Sequence, residues 1–115
     1  MGVVLSALNR KTDAVLEYRR AVELAPSDCD ALNNLGLLLA EAGDVASAQQ
    51  YFVRASKAKP DFAAPHFNLG RVYLAAGHLA EARRALETAA RLDPAYAPHV
   101  AELLRDKARD RAQNQ

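Results

Sequence analysis

Apolar residues in the middle of the chain recur every three or four positions, which is the spacing of one face of a helix. The first such run is Leu32, Leu35, Leu38 and Leu39. Ser27 and Asp28 lie before it with side-chain oxygens that suit an N-cap. Gly43 lies after it, where glycine takes the left-handed C-cap conformation without penalty. The pattern predicts a helix that begins after Asp28 and ends before Gly43.

A second helix is predicted directly after this glycine. Asp44 is a suitable N-cap, and Pro60 marks the end because proline has no amide hydrogen to donate to the helix. The residues expected on its inner face are Val45, Ala48, Phe52, Ala55 and Ala58. Two helices joined by so short a turn form an antiparallel hairpin.

The hairpin pattern repeats with a period of 34 residues. Asn34-Leu35-Gly36 corresponds to Asn68-Leu69-Gly70, and Ala42-Gly43 corresponds to Ala76-Gly77. The repeat predicts two more helices, over about 63–76 and about 79–92. Units of this size cannot fold alone and bury their apolar faces against neighbouring copies, so the period is typical of a solenoid.

The period also extends towards the start of the chain, but incompletely. Ala14, Ala21 and Pro26 stand one period before Ala48, Ala55 and Pro60. The pattern predicts a short helix over 1–8, a left-handed turn at Asn9 and a helix over about 12–24. So short a first helix is expected to leave the apolar edge formed by Val15, Tyr18 and Val22 partly uncovered. An edge of that kind favours docking of a second copy or of further repeats.

Small residues are expected where the two helices of a hairpin cross, because helices approach most closely where side chains are tiny. Gly36 and Gly70 belong to the first helix of their hairpins, and Ala48 and Ala82 to the second. The interpretation is that glycine meets alanine at the crossing. The bulky residues expected to fill the space around it are Tyr18, Phe52 and Leu86.

The segment 97–115 begins like another hairpin and then departs from the pattern. Val100 and Leu103 continue the apolar columns, whereas Leu104 replaces the glycine. Charges alternate in sign from Arg105 onward. We therefore expect a capping helix and a polar tail, which terminal repeats need for solubility.

Composition narrows the class of protein further. The chain has 115 residues, of which 50% are hydrophobic and 25% charged, with a formal net charge of +1. This balance gives no indication of nucleic-acid or membrane partners. No apolar run reaches the ~18 residues of a membrane span, and no targeting signal is recognised, so a cytoplasmic location is expected. Cys29 is the single cysteine, so no internal disulfide can form.

No motif for catalysis, for a metal or for another cofactor is recognised. His66, His78 and His99 are widely separated and fall on different predicted elements. No phosphate-binding loop or zinc-ligand spacing occurs, and the carboxylates are scattered over helix surfaces. The expectation is a protein without cofactors that is not an enzyme.

Taken together, the residues that recur with the 34-residue period resemble the tetratricopeptide repeat. In that family the first helix carries a large residue, Leu-Gly and Tyr, and the second carries Ala, an aromatic, Ala and a final Pro. The matching residues of one unit are Leu32, Leu35, Gly36, Leu39, Ala48, Phe52, Ala55 and Pro60. Those of the next are His66, Leu69, Gly70, Tyr73, Ala82, Leu86, Ala89 and Pro94.

The resemblance implies an all-α fold, a right-handed α-α superhelix (solenoid) of antiparallel helix hairpins with a C-terminal capping helix. It implies one domain over 1–115. Its parts would be a partial first repeat over 1–28, repeats over 29–62 and 63–96, and the cap over 97–115.

The resemblance also implies a concave face that binds a peptide. The residues expected there are Asn33, Asn34, Leu37, Glu41, Phe67, Asn68, Arg71, Leu74, Arg105 and Arg109. Asn34 and Asn68 stand in register, as in family members whose asparagine ladder holds the backbone of an extended ligand. The alternative is that they bond only within the groove wall. The three arginines could attract an acidic group, or Glu102 could neutralise Arg105.

The implied function is a protein-protein interaction scaffold that binds an extended peptide or partner segment. Two alternatives stay open, namely RNA binding by helical-hairpin repeats and a purely structural or oligomerisation module. The period and the near-zero net charge argue against RNA. The partner is expected to be a protein or peptide, with a homodimer or further repeats possible through the N-terminal edge.

Overall fold

The structure is a computed structural model that describes the backbone of residues 2–113 and the side chains of residues 10–108. Within that part of the chain every regular element is helical. The helices are α1 (Gly2–Leu24), α2 (Cys29–Glu41), α3 (Val45–Ala58), α4 (Ala63–Ala76), α5 (Leu79–Leu92) and α6 (Ala97–Gln113). A 3₁₀ turn over Pro94–Tyr96 leads into α6.

The chain divides into two compact units, residues 1–59 and 60–115. The first unit contains α1, α2 and α3, and the second contains α4, α5 and α6. In each unit two helices pair as a hairpin, α2 with α3 and α4 with α5. The proposed repeat boundaries at 28, 62 and 96 stay a prediction.

Both hairpins turn at the glycine that the sequence indicates. Gly43 has φ 90° and Gly77 has φ 82°, values that favour glycine. The Asp44 amide donates to the Leu39 carbonyl at 2.8 Å, and the His78 amide donates to the Tyr73 carbonyl at 2.9 Å. These equivalent bonds close the last turn of each first helix, as in a Schellman motif.

Aspartate side chains cap the N-termini of the two helices of the first hairpin. Asp28 Oδ1 accepts from the amides of Asp30 (3.1 Å) and Ala31 (3.3 Å). Asp44 Oδ1 accepts from the Ser47 amide at 3.2 Å. Each bond satisfies an amide that has no partner within the helix, which confirms both predicted caps.

The predicted turn at Asn9 is wrong, because α1 is one continuous helix from Gly2 to Leu24. Among the described residues no residue other than glycine has a positive φ. The physical reason lies in residue type, since the two observed turns use glycine and asparagine enters the left-handed region less readily.

The atoms nearest to the two glycines belong to the bulky residues, whereas the sequence pattern predicts the alanines there. A Cβ added to Gly36 would lie 2.6 Å from Phe52 Cε1. A Cβ added to Gly70 would lie 2.6 Å from both Cγ and Cδ2 of Leu86. Each glycine therefore makes room for the large side chain of the second helix, and Ala48 and Ala82 are buried beside it.

The expected apolar edge of α1 is partly uncovered at Val15 and Tyr18 and covered at Val22. Val22 is buried, and Val15 and Tyr18 are half-buried, because this face of α1 is turned inward and α1 packs against α2. Over residues 10–24 of α1, the exposed large apolar residues are Leu16 and Leu24.

In the second unit α6 completes a core that the α4–α5 hairpin leaves open. Val100 of α6 joins Leu74, Ala82 and Leu86 in one buried cluster. Half-buried residues packed against that cluster include Phe67, Tyr96 and Leu103. The predicted capping helix is thus present, and it covers the apolar face of the last hairpin.

Candidate functional site

The candidate site is an open cavity of about 360 Å³ in the second unit, between α4 and α6. Its lining residues are Phe67, Arg71, His99, Glu102, Leu103 and Asp106. Phe67 and Arg71 are four residues apart on α4, so they share a face. The other four recur on α6 at spacings of three and four, which likewise places them on one face.

Phe67 forms the aromatic wall of this cavity. Its ring centroid lies 4.8 Å from that of Tyr96 at 36° and 6.4 Å from that of His99 at 64°. The guanidinium carbon of Arg71 lies 6.0 Å from the centroid of the same ring. Ring contacts and the cation–π contact hold the half-buried Phe67 in place.

The charged groups of the wall are of mixed sign. Arg71, Glu102 and Asp106 are exposed, and none forms an ion pair with another described side chain. One guanidinium and two carboxylates are therefore available for a ligand, next to an aromatic and an aliphatic surface. Such a wall can hold an apolar side chain and also hydrogen-bond peptide groups beside it.

The structure brings together only part of the predicted peptide-binding face. Phe67 and Arg71 line the cavity, whereas the exposed Arg105 is not among its lining residues. Leu74 is 8% exposed and belongs to the core of the second unit, so packing accounts for it. Arg109 lies outside the residues whose side chains are described.

The predicted asparagines differ in exposure. Asn34 is half-buried, whereas Asn33 and Asn68 are 7% and 8% exposed. Asn33 and Asn68 each take part in an interaction with another group. In the first unit Leu37 is half-buried and Glu41 is exposed. Asn34 is thus the more accessible of the two asparagines that stand in register.

Sequence reasoning did not select His99, Leu103 and Asp106 as site residues. All three follow from the helical spacing around Glu102, which the pattern does place on the same segment. The missing information is that α6 docks with this face towards Phe67, which depends on the packing of Val100.

A metal site or a reactive thiol has little support in the described part of the chain. No cluster of three or more His, Cys, Asp or Glu residues there could hold a metal ion. The Cys29 thiol is buried and donates to the Ala55 carbonyl at 3.4 Å. Burial raises the pKa of this thiol, Asp30 and Asp28 add to the rise, and Lys59 opposes it. A less available thiolate makes Cys29 a poor nucleophile.

Comparison with protein families settles the relationship. A family model described as "Tetratricopeptide repeat" matches residues 39–106, and two more with this description match 17–50 and 1–28. The chain belongs to the tetratricopeptide repeat family. Membership supports a protein-interaction scaffold and points away from a catalyst. None of the described helices combines the length and apolar character needed to cross a membrane.

One curated relative is "Cellulose synthase 2 operon protein C" from Komagataeibacter xylinus. It is 41% identical over 66 residues, which are 57% of this chain and 5% of that protein. The chain thus spans only a small part of the length of that relative.

Two solved structures have similar folds. The Yersinia enterocolitica type III secretion chaperone SycD, in complex with a peptide of the translocator YopD, has a TM-score of 0.81 at 18% identity, covering 92% of this chain and 86% of that one. MamA has a TM-score of 0.71 at 24% identity, covering 84% of this chain and 57% of that one. At such identities the likeness concerns the fold, and it confirms the expected all-helical solenoid of hairpins.

Proposed function

We propose that this tetratricopeptide protein is an interaction scaffold that binds an extended peptide or partner segment, with one side chain of that segment in the cavity between α4 and α6. The observation that carries the proposal is the half-buried Phe67 ring, which Tyr96 and Arg71 hold in place at the wall of an open cavity. Aromatic and arginine side chains in packed pockets contribute much of the binding energy at protein interfaces.

The size of the cavity suits a single side chain. Ligand pockets have volumes of about 300–1,000 Å³, and this one, at about 360 Å³, is at the lower limit. An apolar or aromatic side chain would cover Phe67 and Leu103. Arg71 would donate to a peptide carbonyl or a carboxylate, and Glu102 and Asp106 would accept from peptide amides or a basic side chain.

The sequence register also gives the first unit candidate peptide-binding residues of its own. Asn34 and Asn68 occupy the same column of the repeat, and an amide can donate to and accept from a peptide unit whatever its side chain. Asn33, Leu37 and Glu41 are proposed as further peptide-binding residues of the first unit, beside Asn34. The SycD structure supports this proposal because a protein of the same fold is there in complex with a peptide.

A peptide array tests the proposal, followed by affinity measurement on the peptides that bind. Phe67→Ala is expected to weaken binding by roughly thirtyfold or more, since truncation of such an anchor costs about 2 kcal/mol. Arg71→Ala is expected to weaken it by less. The matched control is Arg83→Ala, which removes an exposed arginine from α5, away from the cavity.

The asparagines are tested on the same peptides. Asn34→Ala and Asn68→Ala are expected to weaken binding, with Gln50→Ala on α3 as the control that removes an exposed amide elsewhere. Circular dichroism checks that each variant is folded. Equal binding by wild type and the Phe67→Ala and Arg71→Ala variants would refute the cavity, and equal binding by both asparagine variants would refute the ladder.

A further inference from the structure

The two helices that line the cavity of the second unit bring charges of opposite sign to it. Arg71 is the one Lys, Arg, Asp or Glu residue of α4. On α6 the lining residues include Glu102 and Asp106, which are four residues apart and share a face. Counting histidine as neutral, the lining residues therefore carry two negative charges and one positive charge.

The other described charges of α6 lie away from the cavity. Arg105 and Lys107 flank Asp106 in sequence, and successive residues of a helix are about 100° apart, so these two side chains lie to either side of it. Neither of them lines the cavity. The local charge balance is thus negative, although the whole chain has a formal net charge of +1.

The carboxylates are free for a ligand, whereas the arginine already has a neighbour. The guanidinium carbon of Arg71 lies 6.0 Å from the centroid of the Phe67 ring. Glu102 and Asp106 form no ion pair with another described side chain. Two unpaired carboxylates beside an aromatic and an aliphatic wall suit a group that is apolar along its length and positive at its end.

We propose that the side chain that enters this cavity is basic, a lysine or an arginine of the partner segment. The inference rests on the proposed function, because it specifies the residue that the cavity accepts. The aliphatic stem would cover Phe67 and Leu103, as long basic side chains cover apolar surface while their charged ends stay in water. The charged end would lie beside Glu102 and Asp106, and Arg71 would donate to a peptide carbonyl.

A second cavity in the same unit, of about 210 Å³, also carries negative charge. Asp93 Oδ1 accepts from the Ala95 amide at 3.0 Å, and the amides at the start of α4, which no side chain caps, offset part of the charge. Ala64, Phe67 and Arg71 follow one another at spacings of three and four, so the two cavities lie along one face of α4. A segment that crosses both would meet four carboxylates and one guanidinium, which favours a basic segment. The lining residues of the second cavity are Asp61, Phe62, Ala63, Ala64, Leu92, Asp93 and Tyr96.

Position scans of array peptides test the basic anchor. The probes are the array peptides whose binding is lost in the Phe67→Ala variant, made with blocked ends so that no terminal charge contributes. Each position in turn carries lysine, norleucine or glutamate. At one position lysine is expected to bind at least about fivefold more tightly than norleucine, which has the same stem without the ammonium, and glutamate is expected to bind worst.

The two carboxylates are tested on the same peptides. Glu102→Gln/Asp106→Asn is expected to reduce the preference for lysine to less than about twofold and to leave the affinity for the norleucine peptide unchanged. Glu87→Gln is the matched control, because it neutralises an exposed carboxylate of α5 away from both cavities. Arg71→Ala is expected to weaken both peptides without lowering their ratio. In the wild type, rising salt is expected to weaken binding of the lysine peptide but not of the norleucine peptide.

Failure of the basic anchor and failure of the scaffold give different results. Equal affinity for lysine and norleucine at every position, with binding still lost in Phe67→Ala, would overturn the basic anchor and leave the proposed function standing. A lysine preference that survives Glu102→Gln/Asp106→Asn would do the same. If no array peptide depends on Phe67, the proposed function is refuted and the basic anchor with it. The salt series on the wild type needs no variant, so a misfolded variant cannot obscure the result.

Discussion

Replacing Gly70 with alanine adds one methyl group under Leu86, and the structure fixes what that group would meet. The new Cβ would lie 2.6 Å from Cγ and Cδ2 of Leu86 and 3.3 Å from its backbone nitrogen. Carbon atoms pack favourably at about 3.5–4.0 Å, so an overlap of about 1 Å must be relieved. Leu86 has no exposed surface, so its Cγ can move away only by a change of χ1 within a closely packed core or by a shift of α5.

Two opposing terms set the magnitude. Overpacking of this kind costs about 1–3 kcal/mol. Alanine is a better helix former than glycine by about 0.8–1 kcal/mol. In a Leu86→Ala background the overlap with the Leu86 side chain is gone and only the 3.3 Å contact with the backbone nitrogen remains, so Gly70→Ala should then stabilise the protein by up to about 1 kcal/mol. The predicted coupling between the two substitutions is therefore about 1–3 kcal/mol.

Urea unfolding followed by far-ultraviolet circular dichroism measures the free energy of unfolding of the four proteins of this double-mutant cycle, namely the wild type, the two single variants and the double variant. Leu86→Ala alone should cost about 2–5 kcal/mol, within the range that a small domain can show. Comparison of Arg83→Ala with Arg83→Gly on exposed α5 supplies the propensity term separately. If Gly70→Ala stabilises the wild type as much as it stabilises the Leu86→Ala variant, the packing of Leu86 on Gly70 is refuted.

Three further predictions concern the turns, the caps and the buried thiol. Gly77→Ala should lower the free energy of unfolding by about 1–2 kcal/mol because φ at this position is 82°, although no atom lies within 4 Å of the added Cβ. Gly77→Asn should cost less, since asparagine adopts the left-handed conformation more readily. Equal costs for the two variants in thermal unfolding would contradict this explanation. In urea unfolding, Asp28→Ala should lower the free energy of unfolding by about 1 kcal/mol, whereas Asp28→Ser should be nearly neutral. Equal stability of wild type and Asp28→Ala would mean that the cap is not formed in solution. Burial raises the pKa of Cys29, so the folded state favours the neutral thiol. The resulting contribution of Cys29 to stability is present below the ordinary thiol pKa and is lost as the pH rises through the pKa of Cys29 in the folded protein. Cys29→Ala should flatten that alkaline decline in unfolding free energy, and an unchanged decline would exclude Cys29 as its cause.

The sequence predicted the helices of the two full hairpins well because each boundary has a strong local cause. Gly43 and Gly77 form the turns, and Asp28 and Asp44 form the caps. Asn9 carries a weaker signal, and there α1 continues through the predicted turn. Local residue type thus determines where a helix of this chain ends.

The contacts between helices were less predictable. The period identified Gly36 and Gly70 as positions where two helices approach closely. The residues that pack on them, Phe52 and Leu86, depend on how the helices cross. The cavity depends on how α6 docks, and α6 departs from the repeat at Leu104. Phe67 and Arg71 were selected from the repeat, whereas His99, Leu103 and Asp106 needed the docked helix.

The most direct test of the central claim is amide-detected NMR titration of the wild-type chain with a peptide selected on the array. Binding in the cavity between α4 and α6 predicts the largest chemical-shift changes at Phe67, Arg71, His99 and Leu103, with little change at Arg83 and Glu87 on the outer side of α5. Changes confined to α5 or α1, with the cavity residues unmoved at saturation, would contradict the claim.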